Sequence, residues 1–227
     1  MSADNTKIVF QDGVATVVQE NVLYKCKMEE MLAEMQADLP IKTDFMPRGL
    51  VYYERSAQKR SVMIIESPPR LMRLKYQARK AGQENVDIFR LSVPFVYFSL
   101  FINEESKTIA QVWPFCSKEA IRNDTDTVYV LPLPNINGSG HNHFCLGSNA
   151  YEMGWPLHKK ADFVVTGIFA TTWNDDLPMT PLKTFGVSSF KEWSDISMKN
   201  PLFWTELKMV EHQHKTARGI ISVWLQQ

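Results

Sequence analysis

The stretch from Asp87 to Asn103 narrows the choice of folds more than any other part of this chain. Ile88, Phe89, Leu91, Val93, Phe95, Val96, Phe98, Leu100 and Phe101 follow one another too densely for a strand with one wet face. The stretch predicts one or two central strands buried on both faces. Its neighbours are also strand-like. Lys7–Phe10 and Val14–Val18 flank the turn Asp12-Gly13, the signature of a hairpin. Gly49–Tyr53 and Ser61–Ile65 are β-branched or aromatic runs joined by the polar loop 54–60. Thr108–Trp113 is a further strand, which Pro114-Phe115-Cys116 is expected to end, and Thr127–Leu131 is the last before a proline-rich segment.

Helical spacing is confined to the ends. Leu23, Cys26, Met28, Met31, Leu32 and Met35 predict a helix from Glu20 to Gln36, with Cys26 a packed thiol on its apolar side. Residues 159–172 read as a helix through Phe163, Val164, Ile168 and Phe169, with strand left open by their β-branched content. Two helical stretches are expected between Ser188 and Ala217, the second after Pro201. The apolar tail Ile220–Leu225 must pack on this chain or on a partner. These elements predict an α+β protein, an antiparallel β-meander with flanking helices. It is expected to be one domain over 1–227: hairpin and helix to residue 40, core over 41–180, helical extension over 181–227.

At 227 residues the chain can bury a full core, and 44% hydrophobic with 22% charged residues is ordinary for a globular protein. The formal net charge is zero, so bulk charge does not point to nucleic acid. The segment Arg70–Lys80 is locally basic and reads as a solvated face beside Leu71, Leu74 and Tyr76. Three cysteines make no disulfide framework. With no signal-peptide pattern at the N-terminus and no apolar run of bilayer length, the expectation is a cytoplasmic protein without a membrane anchor.

The chemistry gathers in one segment. Leu131-Pro-Leu-Pro-Asn-Ile-Asn-Gly-Ser-Gly-His-Asn-His-Phe-Cys145 is stiffened by prolines and turned by glycines. It offers Asn135, His141, His143 and Cys145 close together. Cys145 is the candidate nucleophile, since a working cysteine needs exposure and stabilised negative charge. Asn135 is placed to donate an amide hydrogen bond to an oxyanion, and His141 or His143 to lower the thiol pKa or act as base. The plain alternative is a packed cysteine at a strand end. A second alternative is metal, because His141, His143 and Cys145 alternate onto one face, with His158, His212 or His214 to complete four ligands. No Cys-x-x-Cys pair accompanies them, so no metal or cofactor is assigned.

Pro134-Asn135-Ile136, a glycine, then Phe144-Cys145-Leu146 resembles the His-Pro-Asn-Ile…Gly-x-Ile-Cys-Leu signature of ubiquitin-conjugating enzymes. Trp155-Pro156 and Asn174-Asp-Asp-Leu-Pro178 resemble that family's Trp-Ser-Pro and the turn after its following helix. The overall layout is most similar to the protein B family of bacterial plasmid PRTRC systems. Two features depart from the signature: Leu133 stands at its His, and the interval from Asn135 to Cys145 is longer. The resemblance implies the ubiquitin-conjugating fold and a cysteine transferase of a bacterial or phage conjugation-like system. It implies that Cys145 carries a ubiquitin-like protein as a thioester, that Asn135 stabilises the oxyanion, and that an activating enzyme is a partner. The competing expectation is an inactive binding or assembly protein on the same fold, possible also as a homo-oligomer. Its motive is Trp193, Phe203, Trp204 and Trp224, read as exposed interface anchors.

Overall fold

The computed structural model describes residues 6–11, 14–19, 21–27, 47–56, 58–79, 84–136, 143–145 and 156–226, with backbone alone before residue 47. The chain divides into two compact units, Met1–Phe45 and Met46–Gln227. The sequence reading instead drew one domain with a first subdivision ending at residue 40.

The first unit contains β1 (Thr6–Gln11), β2 (Val14–Gln19) and β3 (Asn21–Lys27), antiparallel in that order. The expected hairpin forms, with Ile8 opposite Val17 and Phe10 opposite Ala15. The helix expected from Glu20 does not begin there. Residues 21–27 are instead a third strand, with Cys26 opposite Ala15. Val22, Leu23 and Tyr24 favour extended backbone, and β2 supplies a ladder that outweighs a helix begun without packing. Residues 28–36 lie outside the described part, as does the Cys26 side chain.

The second unit is α+β. A six-stranded antiparallel sheet has the order β12-β10-β9-β8-β5-β4, made from β4 (Leu50–Arg55), β5 (Arg60–Ser67), β8 (Phe95–Asn103), β9 (Thr108–Ser117), β10 (Thr127–Tyr129) and β12 (Glu211–Thr216). A three-stranded sheet has the order β11-β6-β7, from β6 (Arg70–Gln77), β7 (Asp87–Val93) and the short parallel strand β11 (Thr172–Asn174). The two sheets share one long ribbon. Ser67 lies opposite Val96 and Arg70 opposite Val93, so a single register runs from β5–β8 into β6–β7. Pro68, Pro69 and Pro94 sit at the break and remove ladder donors from both strands at one level. The sheet therefore curls into two wings there.

The dense run 87–103 is thus two strands, β7 and β8, as its composition predicts. In β8, Val96 to Ile102 are all buried. Val96, Phe98, Leu100 and Ile102 face a core shared with α1 (Leu157–Ala170) and α2 (Phe190–Lys199). Tyr97 and Phe101 face a second core, with Val62, Ile64, Trp113 and Phe115, under α3 (Ala217–Leu225). The apolar tail is this last helix. It covers the sheet with Ala217, Ile220 and Ile221, and Trp224 stacks on Phe101 at 5.5 Å.

Three other expectations change. Pro114 does not end β9, which continues to Ser117 with Phe98 opposite Pro114. On its other side β9 meets β10 only at Cys116, so the strand continues with a single donor missing. The second helical stretch after Pro201 is only a 3-10 turn, Phe203–Thr205, followed by strand β12. There the period is two, with Glu211, Gln213 and Lys215 exposed and His212 buried. The aromatic residues expected at an exposed surface are largely packing: Trp193 and Phe203 are buried, and Trp204 and Trp224 half-buried. Among the described residues no helix is long and apolar enough to cross a membrane.

Candidate active site

After β10 the chain runs extended along the core edge. Leu131, Leu133 and Ile136 are buried, and Val130 N–H donates to the Val210 carbonyl at 2.8 Å. Leu133, at the signature His position, is therefore a core residue. With its neighbours anchored inward, Asn135 turns the chain in the left-handed region at φ +54°. Asn tolerates that conformation better than most side chains.

Residues 137–142 lie outside the described part, and the chain is back at His143. Phe144 returns antiparallel, bridged to Ile136, and donates its N–H to the Val112 carbonyl at 2.7 Å. Cys145 N–H donates to the Asn135 carbonyl at 2.9 Å. The longer interval from Asn135 to Cys145 thus does not part them; the backbone bridge makes them direct neighbours. Phe144 is buried and meets Trp173 edge-on at 5.3 Å. Alternation along the extended chain then leaves Cys145 exposed.

Cys145 and Asn135 line one groove of about 530 Å³. The side of α1 forms one wall, with Phe163, Val164, Gly167 and Ile168; β11 and the turn after it form the other, with Thr172, Asn174, Asp176 and Leu177. Asn135 Oδ1 accepts the Asn174 N–H at 2.8 Å. That bond orients the amide, and its Nδ2 donors are the end not spent on Asn174. At the mouth, Arg79 Nη1 lies 3.0 Å from Asp176 Oδ2, both half-exposed. An ion pair so exposed contributes about 0–1 kcal/mol to stability, and it places both charges among the groove-lining residues.

The other cysteine with a described side chain behaves oppositely. Cys116 is fully buried, donates to the Val130 carbonyl at 3.3 Å, and burial pushes its thiol pKa far above the ordinary value. It is a packing residue, not a nucleophile. His143 is half-buried and is not among the residues lining the groove; His141 lies outside the described part.

Among the described residues no three His, Cys, Asp or Glu side chains gather as metal ligands. His212 and His214 are neighbours on β12, with ring centroids 5.4 Å apart, but His214 stacks on Trp113. His212 accepts the His214 N–H at Nδ1, and burial, with a smaller push from His214, lowers its pKa to about 4. It is a neutral core histidine.

Sequence reasoning did not single out Arg79, Asn174, Asp176 or Gly167 as groove residues. The Asn174-Asp-Asp run was visible as turn chemistry, but its place beside Cys145 depends on β11 pairing with β6. Compared with family models, curated proteins and solved structures, the chain matches none of them.

Proposed function

We propose that this chain is a thioester carrier of the ubiquitin-conjugating type, acting in a bacterial or phage conjugation-like system. In this reading the second unit is a variant of the ubiquitin-conjugating fold. Cys145 accepts a ubiquitin-like protein from an activating enzyme. The observation that carries the reading is the exposed thiol of Cys145 on the same groove as the Asn135 amide, the two joined by a backbone hydrogen bond.

The chemistry needs few groups. The Cys145 thiolate attacks the carbonyl carbon of an incoming thioester, a new S–C bond forms, and the donor thiolate leaves. In the second step an acceptor amine attacks the Cys145 thioester, the Cys145 thiolate departs, and the amine loses its proton. Attack by the amine passes through an oxyanion, for which Asn135 Nδ2 is the available donor. Removing one such donor typically slows acyl transfer by about 100- to 1,000-fold. Asp176, held by Arg79 at the groove mouth, offers a carboxylate to orient the incoming ammonium and receive its proton.

The test is to incubate the protein with its cognate activating enzyme and ubiquitin-like protein. A reductant-sensitive adduct that Cys145→Ala abolishes is expected. Failure to form any such adduct, or one that persists in Cys145→Ala, refutes the reading. Asn135→Ala should still charge, and should discharge to an amine at least about 100-fold more slowly.

A further inference from the structure

We infer that the outer face of β6 and β7 docks a protein partner through an acidic segment that also carries aliphatic side chains. On this wing the inward residues are Met72, Leu74, Leu91 and Val93, all buried. The outward ones are Leu71, Arg73 and Lys75 on β6 and Ile88 and Arg90 on β7, all exposed. Ser92, opposite Leu71, is covered by residues 201–204 and bounds the face at that end. Arg73 stands directly opposite Arg90, and Lys75 opposite Ile88. Like charges placed opposite one another across an antiparallel pair are destabilising. The nearby arginines are already engaged: Arg70 lies over the Phe169 ring at 4.1 Å, and Arg79 pairs with Asp176. Among the described residues no ion pair offsets the three cations Arg73, Lys75 and Arg90, in a chain whose formal net charge is zero.

Its texture favours protein over nucleic acid. Leu71 is 40% exposed and Ile88 53% exposed, so aliphatic side chains lie among the cations. The wing's aromatics, Tyr76 and Phe89, instead pack with Phe190, leaving no stacking platform for unpaired bases. Two strands carrying three cations also fall short of the six to ten phosphate contacts typical of duplex binders. Apolar side chains interspersed with cations are what a protein partner with complementary acids engages. The position matters as well: Lys75 is in register with Thr172, which lines the Cys145 groove. A partner seated here lies beside that groove. The inference itself uses no chemistry at Cys145.

The probe is a fluorescein-labelled amidated peptide repeating Glu-Glu-Leu, titrated into the full chain by anisotropy. An all-Glu peptide and an oligothymidine of equal charge are the comparisons. The Glu-Glu-Leu peptide should bind tightest and weaken with salt. Arg73→Glu should weaken it about tenfold or more, while the new Glu–Arg cross-strand pair raises Tm by about 1–2 °C. Arg73→Gln should weaken binding less, and Leu71→Ser with Ile88→Ser should remove the preference for Leu-bearing peptide. The inference is overturned if the wild-type chain does not bind at about 1 mM peptide. It is also overturned if Arg73→Glu or Arg73→Gln binds as well as wild type. Tighter binding of oligothymidine through the same arginines would assign the face to nucleic acid instead.

Discussion

Two helical glycines should respond to alanine with opposite signs. In a helix interior Ala is better than Gly by about 1 kcal/mol, because Gly has more backbone freedom to lose. Gly167 lies in α1 on the groove side, and a Cβ added there meets nothing within 4 Å. Gly167→Ala should therefore stabilise by about 0.5–1 kcal/mol. Gly219 lies in the first turn of α3, where its N–H donates to Thr216 Oγ1 at 3.1 Å. A Cβ at this position would be driven into the carbonyl oxygen of His214, with the His214 carbonyl carbon at 3.1 Å and its Cβ at 3.2 Å. The obstruction is backbone of β12 and cannot rotate away. Relief requires α3 to lift from β12, loosening the Thr216 cap and the contacts of Ala217, Ile220 and Ile221 with the sheet. Overpacking of this kind costs about 1–3 kcal/mol and a lost cap about 1 kcal/mol. Set against the helix preference of about 1 kcal/mol, the net destabilisation is about 2 kcal/mol. At a urea slope of about 2 kcal/mol per M, the midpoint falls by about 1 M, while Gly167→Ala raises it by a few tenths. Tryptophan fluorescence is the assay, since all 6 tryptophans follow residue 45 and report on the second unit. If the two variants shift the midpoint in the same direction, the steric argument at Gly219 is wrong.

The remaining predictions concern the thiols, a core histidine and the capped sheet edge. In a Cys26→Ser background, a maleimide should modify Cys145 in the native protein but Cys116 only on unfolding; equal native rates would contradict the burial of Cys116. His212 has a folded pKa of about 4 against an ordinary 6.5, so between those values the unfolded chain binds the extra proton. Its contribution to stability is complete above pH 6.5 and is lost as pH falls toward 4, a difference of about 3 kcal/mol. A His212 ring signal that titrates near pH 6.5 by NMR would remove this effect. Ser194 and Ser197 of α2 accept the β7 backbone N–H groups of Arg90 and Ser92 at 3.0 and 2.9 Å. Ser197→Ala leaves the buried Ser92 N–H without that acceptor and should cost about 1–3 kcal/mol by denaturant titration, more than Ser194→Ala at the exposed position. Asp176→Asn should leave charging of Cys145 unchanged and slow discharge to an amine about tenfold or more; unchanged discharge would exclude the carboxylate from that step.

What could be read directly depended on period and on special residues. The N-terminal hairpin and strands β4, β5, β8 and β9 were legible because β-branched and aromatic runs act locally. The failures share a cause. The stretch Asn21–Lys27 became a strand, although Leu23 and Cys26 fit a helical face, because a neighbouring strand offered its ladder. Residues 211–216 carry their period of two on His212, a residue that a hydrophobic pattern does not count. Trp193 and Trp224 looked like surface anchors because burial by a distant sheet leaves no mark in nearby sequence.

The site divides along the same line. The amino-acid sequence by itself determined that a thiol and an amide would be carried on one proline-stiffened, glycine-turned segment, since that is a matter of residue types and short-range turns. Only tertiary structure decided which thiol is usable and what surrounds it. Cys116 and Cys145 are chemically the same side chain, yet one is sealed between β8, β10 and the core while the other is turned out by the inward packing of Phe144. Arg79, Asn174 and Asp176 reach the groove because β11 pairs with β6, a contact between residues far apart in the chain. Burial and long-range pairing are properties of the closed fold, and no local pattern of side chains encodes them.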